Sequence, residues 1–267
     1  MAESFLSRNY RILKTKGVKA VFDKFINILF PISIREYKKF KPFFLDNEGI
    51  EIGGPSHIFS DNGRMPLYKF IKELDGCNYS NNTMWEGEIK DDTYYFSKDK
   101  KGVQFIADAI DINSELTKKT YEFLISSNCL EHIANPMKAI GNWVNLLKDE
   151  GLILIIVPNK SVNFDHNRDF TVFEHLLEDY KNNVGEDDLT HKDEIIAKHD
   201  LSLDYAAGSK REFEERCNQN LKYRGLHHHV FNLESLTKMY EYFNIETLIA
   251  QNIKTDYLVL GRVKKSK

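Results

Sequence analysis

Leu152–Pro158 reads LILIIVP, seven residues without one charged or hydrogen-bonding side chain. A strand with one wet face alternates apolar and polar residues. A run that is apolar throughout must be covered on both faces, as a central strand of a parallel sheet is. The residues just before it can supply cover. Asn135–Gly151, NPMKAIGNWVNLLKDEG, has helical spacing, with Pro at its first turn and Gly just past its end, the asymmetry expected of a helix start and stop.

The same rhythm recurs along the chain. GIEIG from Gly49 reads as a strand, MPLYKFIKELD (Met65–Asp75) as a helix, and VQFIADAID (Val103–Asp111) and YEFLISSN (Tyr121–Asn128) as strands. Near the end, LESLTKMYEYF (Leu233–Phe243) reads as a helix. IETLIAQNI and DYLVLGRVK follow as two strands, antiparallel at the sheet edge. Alternation of this kind specifies an α/β fold with a doubly wound, mainly parallel sheet and helices on both faces. Between Asn159 and about Gly225 the rhythm stops. The composition there turns polar and rich in Asp, Glu and His, with one clear helical patch, VFEHLLEDYKNN. The expectation is an N-terminal helical segment over 1–45, with helical spacing at Val21, Phe22, Phe25, Ile26 and Leu29. A domain over 46–267 follows, with an insert at about 160–225 lying over the carboxyl ends of the strands.

Composition excludes more than it assigns. With 42% hydrophobic and 29% charged residues the chain is an ordinary globule, and a net charge of −3 gives no reason to expect nucleic acid as a partner. The basic stretch Ile34–Lys41 is local and reads as a solvated face. Cys77, Cys129 and Cys217 are odd in number and far apart, against a disulfide framework or a cysteine zinc site and in keeping with a reducing compartment. Residues 1–20 lack the apolar core of a signal peptide. Ala20–Ile34 is interrupted by Asp23 and Lys24 and is too short for a transmembrane segment. A cytoplasmic monomer or homodimer is the expectation.

The chemistry begins where the first strand breaks, in EIGGPS. Ligands of open α/β sheets sit beyond the strand carboxyl ends, next to the first strand. Glycines there let backbone approach a ligand, and free amides can donate to it. Four motifs in order then carry a resemblance. EIGGPS, CLEHIANP, LLKDEGLILIIVPN and HHHVFNLESLTKMYEYFNIE resemble the first motif, the post-fourth-strand motif, the fifth strand and the segment before the last helix and sixth strand of class I S-adenosylmethionine-dependent methyltransferases. The likeness covers roughly residues 46–160 and 225–263.

The resemblance implies a Rossmann-like seven-stranded methyltransferase sheet with S-adenosylmethionine as cofactor. It implies Glu51 near the methionine amino group, and Gly53, Gly54, Pro55 and Ser56 around methionine and ribose. Asp108 and Ala109 would meet the adenine, Asn128 would lie beside the sulfonium, and His132 would face the acceptor. Two features depart from the family pattern. Pro55 and His57 occupy the later glycine slots, and the second strand ends without the usual ribose-gripping acid, offering Asn78 or Asn81 instead.

Seven of the nine histidines fall within 166–229. In LHHHVF, an extended backbone would send His227 and His229 to one face and His228 to the other. With His191 folding over them, His227 and His229 could hold a divalent metal ion. The other readings are a metal-free polar pocket and histidines that solvate and cap the insert helices. Methyl transfer to a hydroxyl needs a base or a metal, and His132, His166 and His227 are the candidates for the base. The resulting reading is a methyltransferase acting on an oxygen (or nitrogen) of a small polar acceptor, a sugar or phosphorylated precursor of a cell-surface polysaccharide. The alternatives are a methyltransferase-fold module that binds the nucleoside without reacting, and a dinucleotide enzyme. The dinucleotide reading would need GxGxxG and a ribose acid, neither of which is present.

Overall fold

The computed structural model describes residues 37–204 and 206–265. The helix expected around Val21–Leu29 lies outside them. Of the expected N-terminal segment, the described part is a 3-10 turn at Tyr37–Lys39 and a short helix α1 (Lys41–Phe44).

Five parallel strands form the centre of the sheet: β1 (Glu48–Ile52), β2 (Glu73–Asn78), β6 (Lys100–Ile106), β7 (Tyr121–Ser127) and β8 (Leu147–Pro158). β5 (Thr93–Ser97) pairs antiparallel with β6. β9 (Ile245–Asn252) and β10 (Asp256–Val263) close the other edge antiparallel, as the sequence indicates. The order is β5-β6-β2-β1-β7-β8-β10-β9, eight strands among the described residues rather than the seven expected, and β3 (Asn82–Thr83) with β4 (Gly87–Glu88) makes a separate small ribbon. The additional strand is β5, which buries Tyr94 and Phe96. From β1 the chain winds outward to β2 and β6, then returns through the short helix α2 (Ser114–Thr117) to lay β7 and β8 on the other side. The crevice at that switch point is where an open sheet binds its ligand.

β8 explains the opening run. Ile153, Ile155 and Val157 pack on one face with Met137, Ile140 and Trp143 of helix α3 (Pro136–Leu146) and Leu236, Met239 and Tyr240 of helix α8 (Leu233–Tyr242). Leu152, Leu154 and Ile156 pack on the other with Phe40, Phe44, Phe59 and Tyr68. That second face is covered by α1, 3-10 turns and aromatic side chains.

Two expected elements differ. Met65–Asp75 is not a helix: a 3-10 turn at Leu67–Lys69 leads into β2 at Glu73. The carbonyls of Tyr68, Lys69 and Ile71 accept from the Lys100 ammonium at 3.0, 3.2 and 2.7 Å, and the Tyr68 hydroxyl is drawn to Glu51. Tertiary bonds thus take groups that a helix would have satisfied itself. Helix α3 starts as expected, with Asn135 accepting from the Lys138 amide and Pro136 at its first turn, but it stops at Leu146. The left-handed residue beyond it is Glu150, at φ 60°, rather than Gly151.

The polar stretch between β8 and α8 holds two short helices and two of nine residues: α4 (Phe173–Lys181), α5 (Lys192–Lys198), α6 (Lys210–Asn218) and α7 (Asn220–Tyr223). Ile195, Phe213, Cys217 and Leu226 give it a small core of its own.

Candidate active site

A cleft opens at the carboxyl ends of β1, β2, β6 and β7. Gly53, Asn78, Asp108, Ala109, Cys129 and His132 line it, and Tyr79, Trp85 and Arg224 reach it from outside the sheet. Gly53 sits at φ 80°, a conformation that strains any side chain, and a Cβ there would stand 2.7 Å from Cys129 Sγ. A Cβ on Gly54 would collide with the Tyr94 hydroxyl and the Glu51 carboxyl. Both glycines of the motif are therefore required by packing.

Glu51 is fully buried, and both its oxygens are engaged. Oε2 accepts from the hydroxyls of Tyr68 and Tyr94 at 2.6 and 2.7 Å, and Oε1 accepts from the Ser56 amide at 3.0 Å. Burial pushes its carboxyl above the ordinary range despite those donors. Glu51 thus braces the Gly53–Ser56 turn from behind, and it is not among the groups on the cleft wall. Pro55 follows a cis Gly54–Pro55 peptide, and the Ser56 hydroxyl is buried without a partner.

The other expected cofactor residues are spread around the cleft. Asn78, at the end of β2, donates to the Gly54 carbonyl at 2.8 Å and accepts from the Trp85 indole at 3.2 Å. Asp108 binds the Arg224 guanidinium at 2.5 Å, and the other arm of Arg224 meets Glu186. The Ala109 carbonyl accepts from the Trp143 indole at 2.8 Å. Asn128, left-handed at φ 50° and exposed, donates its amide to the Ile156 carbonyl at 2.9 Å. The wall is mainly apolar with Asn78 and Asp108 at strand ends, which suits a nucleoside held by its rim.

Beyond His132 lies a buried acid–base cluster. One ligand-type atom from each of Glu131, His132 and His227 lies within 4.8 Å of the others. Glu131 is 2% exposed and neither of its oxygens has a hydrogen-bond partner. Burial pushes its carboxyl up to about 7. His132 Nδ1 is 3.0 Å from the Leu226 carbonyl, so Nδ1–H donates and Nε2 keeps its lone pair. Burial and the neighbouring His227 hold the His132 ring neutral, down to about 3. His227 is the opposite case. Burial works against its cation, yet the Asp165 carboxylate at 2.5 Å and Glu131 together raise it above the ordinary histidine value. Arg168 pairs with Asp165 and donates to the His227 and His228 carbonyls.

The sequence-based site is thus partly redistributed. His132 and His227 come together, with ring centroids 4.5 Å apart. His166 does not join them, and its Nε2 is 3.0 Å from Asp200 at the surface of the insert. Nor does His227 join His191 and His229 as a metal set. The His227 ring is drawn to Asp165 and the His229 ring to the Ala134 carbonyl, which puts them in different clusters. His191 and His229 instead gather with His175 and Asp179. Glu131, Asp165, Arg168 and Arg224 were missed. The signal for Glu131 was present in Leu-Glu-His, but its solitude is a property of the fold.

A Rossmann-like sheet closed at one edge by two antiparallel strands, with this cleft at its switch point, is an architecture that fits a class I methyltransferase. The family model described as "Methyltransferase domain" matches residues 33–248. The chain belongs to that family, and it is an S-adenosylmethionine-dependent methyltransferase. No curated protein matches it. Among solved structures it is similar to the N-methyltransferase NodS from Bradyrhizobium japonicum WM9 in complex with S-adenosyl-L-homocysteine, at 11% identity over 97% of each chain and a TM-score of 0.45. It is also similar to an S-adenosylmethionine-dependent methyltransferase from Clostridium acetobutylicum ATCC 824, at 11% identity over 91% of this chain and 98% of that one, TM-score 0.47. An O-methyltransferase family protein from Burkholderia thailandensis gives 11% identity over 100% of this chain and 65% of that one, TM-score 0.46. Likenesses at this level assign no acceptor.

Proposed function

We propose that the enzyme moves a methyl group to an oxygen of a small polar acceptor, with Glu131 as the proton acceptor and His132 presenting its free nitrogen beside it. When bound, S-adenosylmethionine supplies an electrophilic methyl on a sulfonium. Gly53, Asn78, Asp108 and Ala109 would hold it in the cleft, with Trp85 against the nucleoside. The observation that carries the oxygen reading is Glu131, a buried carboxylate with two unpartnered oxygens and a pKa of about 7. An amine needs only desolvation and alignment, whereas a neutral alcohol needs a base, and a base poised near neutrality is the effective one. His227, held as a cation by Asp165, offsets the charge that Glu131 carries when ionised. The acceptor class, a sugar hydroxyl or phosphorylated precursor of a cell-surface polysaccharide, is supported by family resemblance and by the polar groups of the insert.

The test is transfer from labelled S-adenosylmethionine to a panel of nucleotide sugars and simple amines. Wild-type turnover on a hydroxyl acceptor should rise with pH through about 7. Glu131→Gln should lose about 10²–10⁴ in kcat together with that pH limb, while binding of S-adenosylhomocysteine stays unchanged by calorimetry. Undiminished turnover in the variant would place the base elsewhere. Methylation of amines alone would overturn the oxygen reading.

A further inference from the structure

A second histidine cluster lies outside the chemistry just described. α4 presents His175 and Asp179 one turn apart, so both side chains lie on one face. His191 precedes the first turn of α5, and His229 lies in the segment that enters α8. One ligand-type atom from each of the four lies within 4.8 Å of the other three. His175 Nε2 is 3.0 Å from His191 Nε2 and 3.3 Å from Asp179 Oδ2, and His229 Nε2 is 3.8 Å from the same oxygen.

These separations have a chemical meaning. Ligands at about 2.0–2.2 Å from a tetrahedral zinc ion stand about 3.4 Å from one another, close to the 3.0 and 3.3 Å that separate His175 Nε2 from His191 Nε2 and from Asp179 Oδ2. Two imidazole nitrogens at 3.0 Å beside a carboxylate oxygen can share one proton or one cation. His229 adds an independent sign. Its Nε2 is 3.0 Å from the Ala134 carbonyl, so Nε2–H donates there, as the non-ligating nitrogen of a metal-bound histidine does, and Nδ1, fully buried and without a partner, is the nitrogen left to ligate.

We propose that His175, Asp179, His191 and His229 form a divalent transition-metal site, of the zinc type, that clips the insert to the chain entering α8. Three imidazoles and one carboxylate are a donor set for zinc or a similar first-row ion rather than for magnesium or calcium, which prefer oxygen. Four protein ligands leave no open position, which marks the site as structural. His175, whose side chain is 34% exposed, gives the ion a way in.

The experiment uses the full chain, dialysed against a chelator and returned to metal-free buffer. Adding zinc should give one bound equivalent by equilibrium dialysis and raise Tm by about 5 °C at saturating metal. Cobalt should give the intense visible bands of a tetrahedral centre. His191→Ala, at the rim, should keep the circular dichroism of the metal-free wild type and lose the stoichiometric binding, the Tm rise and the cobalt bands. No binding by the wild type, or equal binding by His191→Ala, overturns the site. Binding that is intact but leaves Tm unmoved overturns the clip. None of these readouts depends on the acceptor or on Glu131.

Discussion

His227 Nδ1 and Asp165 Oδ2 lie 2.5 Å apart in the interior, joined across 62 residues of sequence. The pair links the wall of the insert to the segment beside the cleft, and Arg168 completes it by meeting Asp165 at 3.1 Å. His227 and Arg168 hold the Asp165 carboxyl down at about 2 against the burial that would raise it.

Asp165→Asn keeps the shape and removes the charge. His227 should then fall below the ordinary histidine value, because burial is no longer opposed by that carboxylate, and imidazole NMR shifts across a pH series would show it. The sign of the stability effect follows. Asp165 is depressed, so its contribution is present above pH 4 or so and is lost as pH falls through about 2. His227 is raised, so its contribution is complete below the ordinary histidine value and fades as pH rises through its folded value. The Tm gap between wild type and variant should therefore be widest near pH 5–6 and narrow above the His227 value. A gap that widens with alkaline pH would show that the pair is not ionic.

Glu131 carries the opposite linkage. Folded, it keeps a proton up to about pH 7, whereas the unfolded chain loses it near the ordinary glutamate value. Stability must fall as pH rises through that window, by about 3 kcal/mol in all. Glu131→Gln removes the titration, so the variant should gain on the wild type between pH 5 and pH 8 in urea denaturation. Parallel curves across that range would mean that Glu131 is solvated or already paired.

Much of the fold is legible in the sequence because period and punctuation are local. The apolar run of β8, the Asn135-Pro136 start of α3 and the antiparallel close of β9 and β10 all follow from residues a few positions apart. The cleft is legible in outline for the same reason, since Gly53, Asn78 and Asp108 sit at strand ends and His132 in the 3-10 turn that follows β7. Other features are decided by partners far along the chain. Tyr68 and Tyr94 take the Glu51 carboxylate, Lys100 takes the carbonyls of the helix expected at Met65–Asp75, and Asp165 and the Ala134 carbonyl draw His227 and His229 into different clusters. No periodicity encodes such pairings.

The two tyrosines give a test of how Glu51 works. Each hydroxyl donates to the same buried oxygen, and a hydrogen bond to a charged group is worth about 1.5–3 kcal/mol. Tyr94→Phe and Tyr68→Phe should each cost about that much in urea unfolding. The double variant should depart from additivity because both act on one atom. Costs near zero for both would mean that Glu51 is protonated or turned toward the ligand.

Arg224 and Asp108 carry the last prediction. Arg224, left-handed at φ 50°, comes from the end of the insert and holds Asp108 at the end of β6 with one arm and Glu186 with the other, while its guanidinium lies 5.5 Å from the Tyr79 ring. Asp108 therefore has two possible employers, the adenine and the arginine. Arg224→Met strands two largely buried carboxylates and should destabilise the fold by about 3–5 kcal/mol. Adding Asp108→Asn to it should recover part of that loss. Affinity separates the roles. If Asp108 meets the adenine, Asp108→Ala should weaken S-adenosylhomocysteine binding about tenfold or more in calorimetry, beyond any change in Tm. If affinity holds while Tm drops, the carboxylate belongs to the arginine bridge, and adenine recognition passes to Ala109 and the apolar wall around Trp85.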